Sequence, residues 1–76
     1  MKETKNYSAG SIRTILDTYM RQHKKELYKQ LKSENTLLKF QIEKSNLAIE
    51  TLLDLMEQGF HEWEAWEIVS KEIVYF

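Results

Sequence analysis

LKSENTLLKFQI, residues 31–42, decides the fold because it reads in two ways. Leu31, Asn35, Leu38 and Ile42 are spaced 4, 3 and 4 apart, the seam spacing of a leucine zipper with one Asn in it. Carried onward, that seam runs through Ser45, Ile49, Leu52 and Met56. The other reading makes Asn35 the end of one helix, with the next helix starting just beyond it.

The zipper reading has support. LKSENTLL carries the Leu-x-x-Glu-Asn-x-x-Leu phrase common in leucine zippers, and an Asn at an a position fixes a parallel dimer at some cost in stability. Against it, RQHKKELYKQL lacks the Asn/Ala/Arg pattern found upstream of zippers with a basic region. Ser45 is a second polar seam residue, and a simple zipper leaves the Trp-rich C-terminal segment without a role. The turn reading starts from Lys32-Ser33-Glu34-Asn35, a polar stretch between two apolar-periodic segments. Asn tolerates the left-handed conformation that ends helices, and Asn35 or Thr36 can cap the helix that follows. We take the turn as the preferred reading and keep the zipper as its alternative.

Working outward, the chain reads as helix almost throughout. It has no Pro and two Gly in 76 residues, and the residues that dominate it are good helix formers. Residues 1–7 are expected to be a flexible N-terminus, with one helical domain over 8–76. Ser8 or Ser11 caps a first helix over about 8–22, whose stripe is Ile12, Ile15, Leu16, Tyr19 and Met20. The stripe pauses at RQHKK, residues 21–25, which predicts a short break near His23–Lys25 and a second helix over about 25–33. The third helix, over about 36–58, would be about 34 Å long at 1.5 Å per residue. It stops at Gly59, the residue type that best takes the left-handed cap, with Phe60 placed to fold back on it. A fourth helix over about 62–74 carries Trp63, Trp66, Val69, Ile73 and Phe76, and EIVYF at its end is expected to be docked. Its β-branched and aromatic content leaves a short strand there as the alternative. The fold class expected is all-α: a small three- to four-helix domain, as a homodimeric helical bundle.

Size and composition set the limits. A chain of 76 residues buries only about 60% of its unfolded surface and is marginal alone. Cys is absent, so no disulfide or Cys-ligated zinc adds stability. Oligomerisation or close helix packing is left to do so. No apolar run approaches the roughly 20 residues of a membrane span, and MKETKNYSAG has no apolar core of a signal peptide. A cytoplasmic protein with no membrane contact is the expectation. Charge is sorted along the chain: residues 1–44 hold ten Lys/Arg and five Asp/Glu, whereas residues 45–76 hold one Lys and seven Asp/Glu. Either the halves face each other, within one chain or across a dimer, or an outward basic face meets nucleic acid or an acidic partner.

Residues that could do chemistry are few. The two histidines are His23 and His61; no Gly-rich phosphate loop and no HExxH pair occurs. His61 with Glu57 and Glu64 could crowd a metal, but a solvated turn histidine is the reading preferred. We expect no catalytic residues, no cofactor and no metal, hence no enzyme. The protein-interface expectation falls on Leu38, Ile42, Ile49, Leu52, Met56, Trp63 and Trp66. The two Trp are three apart on one helix side; they suit a core, and also a binding hot spot. The second candidate is a nucleic-acid face at Arg21, Lys24, Lys25, Lys29 and Lys32, of which 21, 25, 29 and 32 share one side of a continuous helix. A solvated face is the ordinary reading of such a cluster.

Three resemblances bear on this. YMRQHKKELYKQLKSENTLLKF, residues 19–40, resembles the transposon-encoded TnpV-like family of small proteins on bacterial mobile elements. There a Gly near the position of Glu34–Asn35 implies a turn and a Pro near that of Lys25 implies a helix start; this sequence has neither residue at those points. EAWEIVSKEIVYF resembles small helical families of gut bacteria. LMEQGFHEWEA resembles the helix–Gly–Phe–helix phrase of ubiquitin-associated domains, where an exposed Gly-Phe loop touches the partner; here Phe60 is read as a structural staple. Together they imply a small helical accessory protein. The functional expectation is a non-enzymatic interaction or regulatory protein, with a DNA- or RNA-binding accessory protein as the alternative.

Overall fold

A computed structural model describes residues 8–76; the expected flexible segment, residues 1–7, lies outside the described residues. Within them the chain is all α: α1 (Ala9–His23), α2 (Lys25–Ser33), α3 (Leu37–Glu57) and α4 (Glu62–Val69), which runs on as a π-helical turn over Ser70–Val74. Among the described residues no helix is long and apolar enough to cross a membrane.

Asn35 is a turn. Its φ is +61°, the left-handed region. The Thr36 N–H donates to the Leu31 carbonyl at 2.9 Å and the Asn35 N–H to the Lys32 carbonyl at 3.2 Å. That pair of bonds is the Schellman motif, which uses carbonyls that the end of α2 would otherwise leave unmade. The same motif recurs 24 residues later: Gly59 has φ +109°, with Phe60 N–H to the Leu55 carbonyl and Gly59 N–H to the Met56 carbonyl, both 3.1 Å. The parallel zipper fails on a second count too, since Ser45 and Leu52 of its seam are enclosed by the chain's own helices.

α1 is capped by Ser8, whose hydroxyl oxygen accepts from the Ser11 N–H. It breaks at Lys24 (φ −131°, ψ 48°) without Pro or Gly. Lys24 itself keeps both backbone bonds across the break: its N–H reaches the Met20 carbonyl and its carbonyl accepts from Tyr28 N–H. A straight continuation would put Lys24 four residues after the buried Met20, on the inward line. The break releases it from that position.

The core collects Ile12, Leu16 and Met20 of α1, Ala48 and Leu52 of α3, Ala65 and Val69 of α4, and Ile73 and Val74 of the π turn. A fully buried Ile or Leu contributes about 1.5–3 kcal/mol, so this set carries most of the fold. α1 runs antiparallel to α3. Asp17 meets Gln41, whose Nε2 donates to Oδ1 at 2.9 Å, while Ala9, Gly10 and Arg13 lie beside Ile42, Ser45 and Asn46. Asp17 also pairs with Arg21 Nε at 2.9 Å, and Ser45 Oγ donates to the Gln41 carbonyl at 2.7 Å. No buried side-chain N or O among the described residues lacks a partner. The C-terminal residues form no strand. They turn back over the start of α3, where Phe76 meets Phe40 edge-on at 6.0 Å and the Tyr19 hydroxyl donates to the Phe76 main-chain oxygen. α3, about 31 Å long, sets the long dimension of a body measuring 41 × 20 × 16 Å.

Candidate interaction surface

The fold sends a stretch with carboxylates and no Lys or Arg to one end of that body, and most of the Lys and Arg, with Asp17, Glu26, Glu34 and Glu43 among them, to the other. Arg21, Lys24, Lys25, Lys29, Lys32, Lys39 and Lys44 gather around the first half of α3, where α2 and the chain's last residues pack. The other end is the arm made by the second half of α3 and by α4. Residues 45–70 contain no Lys or Arg, and Glu50, Asp54, Glu57, Glu62, Glu64 and Glu67 all fall there. Among the described residues the one ion pair is Arg21–Asp17, within α1, and none joins residues 8–44 to residues 45–76. Among the described residues the charge halves therefore do not satisfy each other through ion pairs.

The expected interface residues divide. Trp63 is 61% exposed, Leu38 60% and Ile42 40%. Ile49, Met56 and Trp66 are half-buried and pack against the core. Leu52 is a correction: with 0% exposure it is core, because the inward line of α3 is Gln41, Ser45, Ala48 and Leu52. Leu47 is exposed on the far side of α3, beside Glu50, Leu53, Asp54 and Glu57 in a groove of about 560 Å³. Phe60 closes the α3–α4 turn with its backbone, while its ring stays 39% exposed.

The basic candidates also divide. The break at Lys24 takes Arg21 off the helix that carries the lysines, so the four-residue continuous face is corrected to three: Lys25, Lys29 and Lys32 of α2, all exposed. Arg21 stands 5.5 Å from the Tyr28 ring. A hydrogen bond with Tyr28, and then the charge of Asp17, hold its guanidinium above its ordinary pKa. Lys24 is half-buried, its Nζ 5.4 Å from the Phe76 ring, and Lys44 Nζ lies 4.3 Å from the same ring and 5.7 Å from Phe40. Two ammonium groups thus flank one aromatic ring in cation–π geometry. Lys44 and Phe76 are 32 positions apart, so no local sequence signal pairs them.

A further groove of about 460 Å³ lies between α1 and Tyr75, lined by Ile15, Tyr19, His23 and the threonines 14 and 18. Three of its hydroxyls donate to main-chain oxygens: Thr14 to the Gly10 carbonyl, Thr18 to the Thr14 carbonyl and Tyr19 to Phe76. The groove therefore presents mainly apolar wall. His61 sits at the start of α4, where its N–H donates to the Glu64 carboxylate at 3.0 Å. Among the described residues no three His, Cys, Asp or Glu side chains converge as a metal site.

No family model, no curated protein and no solved structure matches the chain.

Proposed function

We propose that the protein is a non-enzymatic interaction module of the bacterial cytoplasm, an accessory protein of the kind carried on mobile elements, that works by binding another polypeptide and by pairing with itself. The observation that carries this reading is Trp63, 61% exposed on an arm that has carboxylates and no Lys or Arg. Leaving an indole in water forgoes burial that a chain this small can ill spare. Trp at a surface centre is also the side chain most enriched among binding hot spots. The acidic rim around it selects basic partners and repels acidic ones.

Trp63→Ala tests it. The variant keeps its helix content and melting temperature, and loses at least tenfold in affinity for whatever polypeptide the wild-type chain captures from bacterial lysate, measured by titration once that polypeptide is identified. Equal capture by both chains, at equal strength, overturns the reading.

A second reading rests on Lys25, Lys29 and Lys32. All three are exposed, and none makes an ion pair among the described residues. Phosphate contact by such a row is salt-sensitive and indifferent to sequence. A gel shift across salt decides: this reading fails if no DNA or RNA is retarded even at low salt, or if Lys25→Ala with Lys29→Ala changes nothing.

A further inference from the structure

The outer flank of α3 points to its own occupant. Leu38, Ile42, Ile49 and Leu53 are spaced 4, 7 and 4, so they form one line along the helix. Leu38 and Ile42 are exposed, and Ile49 and Leu53 are half-buried. Beside this line runs a second, with spacing 7, 4 and 7: Lys39, Asn46, Glu50 and Glu57, all exposed. Lys39 stands at the basic end of the molecule, and Glu50 and Glu57 stand on the acidic arm. None of the three charges makes an ion pair among the described residues.

We propose that this flank is the interface between two copies of the chain, packed side by side with their long axes antiparallel, so that Lys39 of each copy meets Glu50 and Glu57 of the other. The inference rests on the interaction-module reading and gives it one partner.

Three arguments select this arrangement. The first is area. A stable interface takes about 800 Å² from each partner. The end of the body measures 20 × 16 Å and its side 41 × 20 Å, so only a side-by-side contact is large enough. The second is charge. With the sides in contact, a parallel pair sets Lys39 on Lys39 and each Glu on its own counterpart, whereas an antiparallel pair sets each cation on an anion. The third is closure. A pair with a two-fold axis, unlike a head-to-tail contact, uses the same patch on each copy, so assembly stops at two. The apolar line suits this, since reversing it brings Leu38 and Ile42 of one copy over Ile49 and Leu53 of the other.

The chain has no Cys, which makes a disulfide test clean. Lys39→Cys and Glu50→Cys are made in separate chains, each checked by circular dichroism for unchanged helix content, then oxidised alone and as a mixture. The proposal expects sedimentation of the wild-type chain to show a dimer that loosens with salt. It also expects the mixture to cross-link between unlike chains, with each variant alone failing to do so. Cross-linking of each variant to itself means a parallel pair and overturns the proposal. A wild-type monomer in sedimentation overturns it, and so does a dimer with no cross-link in the mixture, which places the contact on another face. The charge exchange Lys39→Glu with Glu50→Lys and Glu57→Lys provides an independent check: each half of the exchange weakens the dimer at least tenfold and the full exchange restores it. The Trp63→Ala capture experiment is read separately, so the pairing geometry can fail while the interaction-module reading stands.

Discussion

At Asn35 and Gly59 the chain solves the same problem with different residues. Both sit at positive φ, +61° and +109°, and both are followed by a residue whose N–H reaches back five positions. An added Cβ at Gly59 meets nothing within 4 Å, so the cost of a side chain there is conformational alone. Gly59→Ala is expected to lower stability by about 1 kcal/mol, seen as a fall of roughly 4–8 °C in melting temperature for a domain of this size. Asn35→Gly should be close to neutral, whereas Asn35→Val should cost about 1–2 kcal/mol; equal effects of the two would mean that Asn35 is held by something other than its φ. Gly59 was legible from sequence, because a Gly after an apolar stripe has one dominant meaning. Asn35 was legible only as a choice. Asn serves both as a zipper residue and as a left-handed cap, and local spacing cannot separate the two. What settles it lies elsewhere: Ser45 and Leu52, further along the same seam, are used by α1 and α4.

Among the elements, α3 shows where sequence reading stops. Its start, end and length are visible from Thr36, Gly59 and the apolar period between them. Its rotation is not. Hydropathy sets Leu38, Ile42, Ile49, Leu52 and Met56 on one heptad line with Ser45, yet of these only Ser45 and Leu52 are buried, since the inward line is Gln41, Ser45, Ala48 and Leu52. Two causes account for the rotation. The Gln41 amide has a buried task, donating to Asp17. Ser45 and Ala48 are small enough to let neighbouring helices close in. A helix with an apolar stripe this wide has more than one inward direction on offer, and the sequence of α3 alone does not record which neighbour arrives. The difference is measurable. Within the single chain Leu52→Ala should cost about 2–5 kcal/mol, as deletions in a packed core do, and Leu38→Ala less than about 0.5 kcal/mol; urea melts of the two variants, run dilute enough that no dimer contributes, check both. The π-helical turn at Ser70–Val74 was not legible either, since EIVYF read equally as a helix end or a short strand, and what fixes it is the meeting of Tyr19, Phe40 and Phe76, far apart in sequence.

For the whole molecule, stability and association should respond differently to salt. Among the described residues the fold holds one ion pair, at the surface of α1, and such pairs contribute about 0–1 kcal/mol. The melting temperature of the dilute chain is therefore expected to change little between low salt and about 1 M, where charges are screened beyond roughly 3 Å. Binding that depends on the sorted ends should weaken steeply over the same range. A melting temperature that falls in step with binding would mean that the charges hold the fold together instead. The sorting of charge between the halves was plain in the sequence. That the halves become two ends of one rod was not, because it depends on α1 and the last residues both returning to the first half of α3.

That return has a consequence for how the chain assembles. The Tyr19–Phe76 bond joins residues 57 apart, while the α3–α4 hairpin closes through a turn of four residues, 58–61. Closing a long loop costs more chain entropy than closing a short one, so the hairpin is expected to form early and the contacts of Phe76 with Tyr19 and Phe40 last. A contact made after the rate-limiting step leaves the folding rate alone and slows unfolding. Tyr19→Phe should accordingly steepen the loss of native protein in a stopped-flow unfolding jump, with refolding unchanged. The side chain that ties α1 to Phe76 would then set how long the native state lasts and have no part in how fast it is reached.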